Sequence, residues 1–171
     1  YSRLQDKGES LVKGERSLAN LEVILDVIYE AYLIDPKKYI LDVFFEFQVS
    51  KHKVKLHQDR MYEEMKRLDD FEPESAEEAI FLVNIYRNII SDLFDPYISL
   101  IYASIQFREG KFDNYIASNL GQGERNKVEY CTARLGQNNL FDSYNSTVRN
   151  AISHSGTDGI TYSDNEITFR S

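Results

Sequence analysis

A short polar run near the end of the chain carries the side chains best suited to chemistry. It spans residues 149–154 and has the sequence R-N-A-I-S-H. The guanidinium of Arg149 stays protonated at any physiological pH and has the fork geometry that holds a phosphate through two hydrogen bonds. His154 carries the one type of side chain whose ordinary pKa lies near neutrality. A permanent cation beside a proton carrier is suited to chemistry on a phosphodiester.

The same residues share one side of a predicted helix. When residues 138–154 are drawn as a helix at about 100° per residue, the polar side spans an arc of roughly 140°. Asn150 lies between Arg149 and His154 on that side, together with Ser146 and Ser153. Ser155-Gly156 is a usual helix end. We therefore predict one helix over 138–154, whose core-facing side consists of Phe141, Tyr144, Val148, Ala151 and Ile152.

The first two-thirds of the chain has the spacing of helices. Ser17 begins an apolar repeat that reaches Ile34, and Asp35-Pro36 ends that helix and starts the next. Residues 36–68 contain no further Gly or Pro, which predicts one long helix or two with a bend near Ser50. Ser75 has capping-box spacing to Glu78 ahead of a strongly apolar run to Phe94.

The remaining elements are shorter. Asp95-Pro96 either kinks the apolar helix or starts a new one that stops at Gly110. Helices are also predicted over 111–120 and 124–135, each followed by Gly. Apolar residues then alternate around the turn residues Asp164-Asn165, which predicts a β-hairpin over 159–170. The predicted fold is all-α, a helical bundle with a short C-terminal β-hairpin, in a single domain over 1–171 with a loose arm at 1–16.

Composition and charge narrow the classes of function. The 171 residues have 42% hydrophobic content, one cysteine and a net charge of −8. A single cysteine excludes an internal disulfide framework and favours a cytoplasmic location. No apolar run approaches the roughly 18 residues of a membrane span, so no membrane association is expected. The first residue is Tyr1 rather than Met, and we expect either a trimmed chain or a domain excised from a longer protein.

The negative charge argues against a general nucleic-acid binder, but it is unevenly distributed. Residues 1–110 carry 14 Lys/Arg and 21 Asp/Glu, whereas residues 111–171 carry 6 and 7. The acidity therefore lies away from Arg149 and His154 in the sequence.

Two other groups of basic residues are candidate parts of a site. The cluster K-H-K-V-K-L-H at 51–57 is either a solvated helix face or a contact to backbone phosphates. Its two histidines are five residues apart, which is not the spacing that brings two imidazoles to one metal, so no metal site is predicted. Arg125, Lys127 and Arg134 either line a site beside the last helix or are solvated at the surface.

Residues 149–154 resemble the R-x4-H motif of the HEPN superfamily, including the polar residue, often Asn, directly after the arginine. The resemblance covers 138–170, since a glycine and a short hairpin also follow the motif in many members. It implies a helical bundle that dimerises through the motif helix and acts as a metal-independent endoribonuclease in toxin or antiphage systems. In one subgroup the motif continues to R-x4-H-x-Tyr. This chain has Gly156 at the position of the tyrosine, so it departs from the pattern of that subgroup.

The resemblance also implies roles for the candidate residues and a set of partners. His154 is expected as general base or acid, Arg149 as the ligand of the scissile phosphate, and Asn150 as the residue that orients the phosphate or His154. RNA is the expected substrate, a homodimer through the Arg149–His154 helix is the expected assembly, and a protein antitoxin or a regulatory protein is a further candidate partner. No cofactor is expected. The alternatives are a non-catalytic HEPN-like module that binds nucleotides or proteins, and an unrelated helical interaction or dimerisation domain.

Overall fold

The computed structural model describes residues 15–65, 75–119, 121–136, 141, 144–148, 160–163 and 166–169. Across these residues the fold is all-α with a small C-terminal hairpin, as predicted. The helices are α1 (Glu15–Ile34), α2 (Pro36–Tyr39), α3 (Phe45–Met65), α4 (Ala76–Asn88), α5 (Asp95–Arg108), α6 (Tyr115–Asn119) and α7 (Glu124–Leu135). Two π-helical segments, π1 (Ile40–Phe44) and π2 (Ile89–Phe94), join α2 to α3 and α4 to α5.

Two helix starts that the sequence predicts are confirmed by their capping bonds. The Asp35 carboxylate accepts a hydrogen bond from the Lys38 backbone N–H at 3.0 Å, and Pro36 occupies the first turn of α2. The Ser75 hydroxyl accepts from the Glu78 backbone N–H at 3.3 Å. The start of α1 lies earlier than predicted: the helix begins at Glu15, within the predicted loose arm, and Ser17 lies inside it.

Residues 45–65 form one α-helix, α3, directly after π1, so the described chain has no break in helical structure near Ser50. Pro96 is also accommodated inside a continuous helical run. Proline lacks an N–H and its ring collides with the carbonyl four residues earlier. The wider π2 turn precedes it, with the Asp95 N–H bonded to the Ile90 carbonyl five residues back. The helix α5 therefore starts at Asp95, which agrees with the new-helix alternative, and the change of hydrogen-bond register in π2 leads into it.

Local capping also sets the short helices. The α6 helix begins at Tyr115 rather than at residue 111, because the Asn114 side chain accepts the Ala117 N–H at 2.7 Å and caps it there. The predicted stop at Gly110 is confirmed: φ is +68°, and the Lys111 N–H closes the turn onto the Gln106 carbonyl at 2.9 Å. The bounds of α7 match the prediction.

The chain divides into two compact units, unit 1 from Tyr1–Glu46 with Leu100–Leu140 and unit 2 from Phe47–Ser99 with Phe141–Ser171. In unit 1, the Tyr39 ring lies edge-on to Tyr32 and to Phe107, with centroid separations of 6.5 and 5.4 Å. Its hydroxyl is 2.7 Å from the Ser104 hydroxyl, which donates to the Leu100 carbonyl at 2.8 Å. This buried chain of hydrogen bonds ties α2 to α5.

Unit 2 holds the hairpin. Strand β1 (Ile160–Ser163) pairs antiparallel with β2 (Glu166–Phe169), which confirms the prediction. In the register of the two strands, Ile160 lies opposite Phe169 and Tyr162 opposite Ile167. β1 lies against α4.

The hydrogen bond between Tyr39 and Ser104 gives a direct stability test. We expect Ser104→Ala to lower the free energy of unfolding by about 1–3 kcal/mol, because it leaves the Tyr39 hydroxyl buried without its partner. Tyr39→Phe removes both the hydroxyl and its need for a partner, so its cost is about 0.5–1.5 kcal/mol. Denaturant titration measures both, with the exposed Tyr29→Phe as control. Equal stability of Ser104→Ala and wild type would contradict the assignment.

Candidate functional site

The described helical turn that precedes the motif begins at Ser146, not at residue 138. Phe141 lies in a turn, Tyr144 and Asn145 are outside any helix, and residues 146–148 are helical. The Asn145 side-chain oxygen accepts the backbone N–H groups of Thr147 at 3.0 Å and Val148 at 3.1 Å. Asparagine is among the strongest N-cap residues, because its side chain replaces the missing partners of a first helical turn. The prediction of one helix over 138–154 is therefore wrong at its start.

Contacts within unit 2 hold this helix start in place. Phe141 is buried edge-on to Phe94 of π2, and the Tyr144 ring stacks on the same phenyl with centroids 5.3 Å apart and planes 11° apart. The Asn145 backbone N–H donates to the Tyr86 hydroxyl at 2.7 Å. Phe141 is thus core-facing, as predicted, although it reaches the core from a turn.

The three predicted site residues, Arg149, Asn150 and His154, lie outside the residues that the structure describes. The described turn ends at Val148, the residue directly before Arg149. The structure thus describes what anchors the chain up to the motif, and the assignment of the three side chains remains a prediction.

Side chains of the basic cluster at 51–57 interact with their surroundings in two places. The Lys51 ammonium lies 5.2 Å from the centroid of the Tyr97 ring and 6.0 Å from that of Phe47. Lys55 forms an exposed ion pair with Asp59 at 3.0 Å. Within the part of the chain that the structure describes, no group of three or more His, Cys, Asp or Glu could hold a metal ion.

An ionic cluster that the sequence analysis did not identify surrounds Glu109 in unit 1. Its carboxylate accepts from the Arg134 Nε at 2.8 Å, the Tyr130 hydroxyl at 2.9 Å and the Lys111 Nζ at 2.6 Å. The hydrogen bond from Lys111 is the largest of the effects that lower the pKa of Glu109 to about 2; Tyr130 and Arg134 add to it. The only sequence signal for this cluster was the spacing of Tyr130 and Arg134 on one side of α7.

The two α7 residues of this cluster also contact each other. The Arg134 guanidinium carbon lies 3.3 Å from the centroid of the Tyr130 ring. The Tyr102 and Tyr130 rings are in a T-shaped arrangement with their centroids 4.8 Å apart. Burial and the bond to ionised Glu109 raise the pKa of Tyr130 to about 12. The cluster therefore connects the end of α5 to α7.

The neighbouring residues of α7 are also accounted for. Cys131 is buried, and burial raises the pKa of its thiol to about 12, so it is not a nucleophile at neutral pH. Arg125 forms an exposed ion pair with Glu129 at 2.7 Å, and Lys127 is buried. Arg125 and Arg134 thus have carboxylate partners on the protein, and Lys127 is not the solvated surface residue that one interpretation expected.

Comparisons with known proteins identify no relative of this chain. No family model, no curated protein and no solved structure matches the chain. Among the described helices, none combines the length and the apolar character that crossing a membrane requires.

The N-cap at Asn145 is testable by paired substitutions. We expect Asn145→Ala to cost about 1 kcal/mol of unfolding free energy, because two backbone N–H groups lose their acceptor. Asn145→Asp keeps an acceptor at the same place and is expected to stay close to wild type. Denaturant unfolding measures both variants; an equal loss in the two would show that the cap is not the source of the effect.

The low pKa of Glu109 predicts a pH-dependent contribution to stability. A carboxylate with a lowered pKa stabilises the fold above its unfolded pKa, 4.5, and this contribution is lost as pH falls through about 2. We therefore expect the difference in unfolding free energy between wild type and Glu109→Gln to shrink as pH falls from about 5 to 2. Glu129→Gln, in an exposed pair, is the control with little expected effect. A difference that stays constant with pH contradicts the proposed charge state.

Proposed function

We propose that this protein is a metal-independent endoribonuclease whose active site contains Arg149, Asn150 and His154. The observation that carries the proposal is the R-x4-H spacing directly after a helix start that is capped and anchored. On an α-helix, residues five apart are separated by about 7.5 Å along the axis and about 140° around it. That separation allows two long side chains to reach one phosphodiester from opposite edges of a polar face.

The chemistry needs only groups that the motif contains. RNA supplies its own nucleophile, the 2′-hydroxyl, which attacks the adjacent phosphorus and expels the 5′-oxygen. A base must take the 2′-hydroxyl proton, an acid must protonate the leaving oxygen, and a cation must stabilise the extra negative charge. His154 serves as base or acid, Arg149 binds the phosphate oxygens through two hydrogen bonds, and Asn150 orients the phosphate or the imidazole.

A homodimer would complete this set of groups. One imidazole does not accept and donate a proton at the same moment, whereas two motif helices in contact would supply two histidines and two arginines. We propose that dimerisation occurs through the helix that carries Arg149 and His154. A protein antitoxin that covers this face would then neutralise the enzyme, as expected for a toxin or antiphage nuclease.

The charge distribution is compatible with RNA as substrate. The chain carries −8 overall, and a polyanion is repelled by such a field. Most of that charge belongs to residues 1–110, with 21 Asp/Glu against 14 Lys/Arg, and residues 111–171 are close to neutral with 7 against 6. The segment that carries the motif therefore adds little to the repulsion.

Cleavage of a mixed RNA ladder in EDTA tests the proposal. We expect wild type to cleave, and His154→Ala and Arg149→Ala each to lose about 100-fold or more in rate, the typical contribution of an acid–base group or a charge stabiliser. His52→Ala is the matched control, since His52 is an exposed histidine of α3, and its rate should equal that of wild type.

Each of the other results has a definite meaning. Equal cleavage by wild type and His154→Ala would indicate a contaminating nuclease and reject the site. No cleavage by a dimeric wild type would reject catalysis by this chain and favour the alternative of a HEPN-like binding module. No cleavage together with a monomeric state would favour an unrelated interaction domain.

A further inference from the structure

Helix α1 has a second apolar side in addition to the one that faces the core. Its core side includes Val27 and Ala31, which are buried. Leu25, Tyr29 and Leu33 recur at intervals of four residues on another side and are 53%, 53% and 56% exposed. Large apolar residues on a solvent-facing stripe add nothing to the core, so they require a separate explanation.

The helical run that follows Asp35 repeats the pattern. Tyr39 and Val43 are buried in unit 1, whereas large apolar residues beside them are exposed. Together the two runs form what we call the exposed apolar face, which lies on both sides of the one-residue junction at Asp35. Its members are 41–58% exposed and comprise Leu25, Tyr29, Leu33, Ile34, Ile40, Leu41, Phe44 and Phe45.

The size of this face is that of a protein interface. Eight large side chains, each about half exposed, present on the order of 100 Å² apiece. Their sum is comparable to the roughly 800 Å² that one partner contributes to a standard interface.

The charges around the face indicate what covers it. Glu22, Asp26 and Glu30 recur at intervals of four residues, so they form an acidic line about 60° around α1 from the apolar line. Over residues 19–46 there are six acidic side chains and two basic ones, and Arg108 forms an ion pair with Glu30 at 2.8 Å, so the net charge around the face is −3. A second copy of the chain would bring −3 against −3, and nucleic acids or anionic membranes would be repelled in the same way.

We propose that the exposed apolar face binds a basic amphipathic helix of another protein. Such a helix would cover Leu25, Tyr29 and Leu33 with its own apolar stripe, and its Lys and Arg side chains would approach Glu22 and Asp26. The apolar contact supplies the affinity, and the acidic line selects partners of the opposite sign. The proposal does not depend on RNA cleavage, because it uses unit 1 residues outside the motif.

A designed peptide tests the proposal with the whole chain. The probe is a fluorescein-labelled helix of about 18 residues with Leu on one side and Lys on the other, and its counterpart carries Glu in place of Lys. We expect the Leu/Lys peptide to bind in fluorescence anisotropy and the Leu/Glu peptide not to bind. Leu33→Asp should weaken binding about 10-fold or more, and so should the double variant Glu22→Lys with Asp26→Lys.

Matched controls separate this face from general adhesion to an acidic protein. Ile116→Asp changes a 60% exposed side chain of α6, outside the face, and Glu77→Lys changes an exposed acid of α4. Both should bind the Leu/Lys peptide like wild type. All substituted positions are exposed, so unchanged thermal unfolding is expected throughout. RNA cleavage by Leu33→Asp should equal that of wild type.

Three results would overturn the proposal. The first is an absence of binding to the Leu/Lys peptide by wild type. The second is equal binding by Leu33→Asp and Ile116→Asp, or equal binding of the two peptides, since either shows adhesion without use of this face. The third is self-association in light scattering that Leu33→Asp abolishes, which would make a second copy the occupant.

Discussion

Burial on every side of one stretch of α5 is the constraint on which the fold depends. Residues 98–105 are each no more than 6% exposed, so no side of the helix is left for solvent. A polar group there must find its partner inside the protein. Ser104 does so by donating to the Leu100 carbonyl of its own helix and by pairing with the Tyr39 hydroxyl. That pair joins α2 to α5 at the point where the hydrogen-bond register changes into π1.

The Glu109 cluster lies at the C-terminal end of α5. There the helix stops at Gly110, and Arg134 and Tyr130 of α7 donate to the carboxylate of Glu109. The ionised carboxylate of Glu109 therefore connects the end of α5 to α7. The same hydrogen bonds lower the pKa of this carboxylate. The cluster stabilises unit 1, and its tyrosine and the adjacent Cys131 remain protonated at neutral pH.

The two proposals concern different residues and different physics. Catalysis at Arg149 and His154 depends on proton transfer and on phosphate binding next to the helix start that Asn145 caps. Binding at the exposed apolar face depends on desolvation of leucine and aromatic side chains, with acidic residues that determine the sign of the partner's charge. A protein partner on unit 1 and an RNA substrate at the motif would therefore meet separate residue sets, and substitutions in one set should leave the other activity intact.

The sequence by itself determined the features that depend on neighbours within about four residues. Asp35-Pro36, Ser75, Gly110 and Gly136 mark helix ends by capping and by backbone conformation, and the alternation around 164–165 sets the hairpin. It also supplied the chemical hypothesis, which rests on residue types at 149–154. Only the tertiary structure decided which faces are buried, that the rings of Phe141 and Tyr144 both pack on Phe94, and which distant charges meet at Glu109. The physical reason is that capping acts along the chain, whereas burial and ion pairing depend on which remote segments come together.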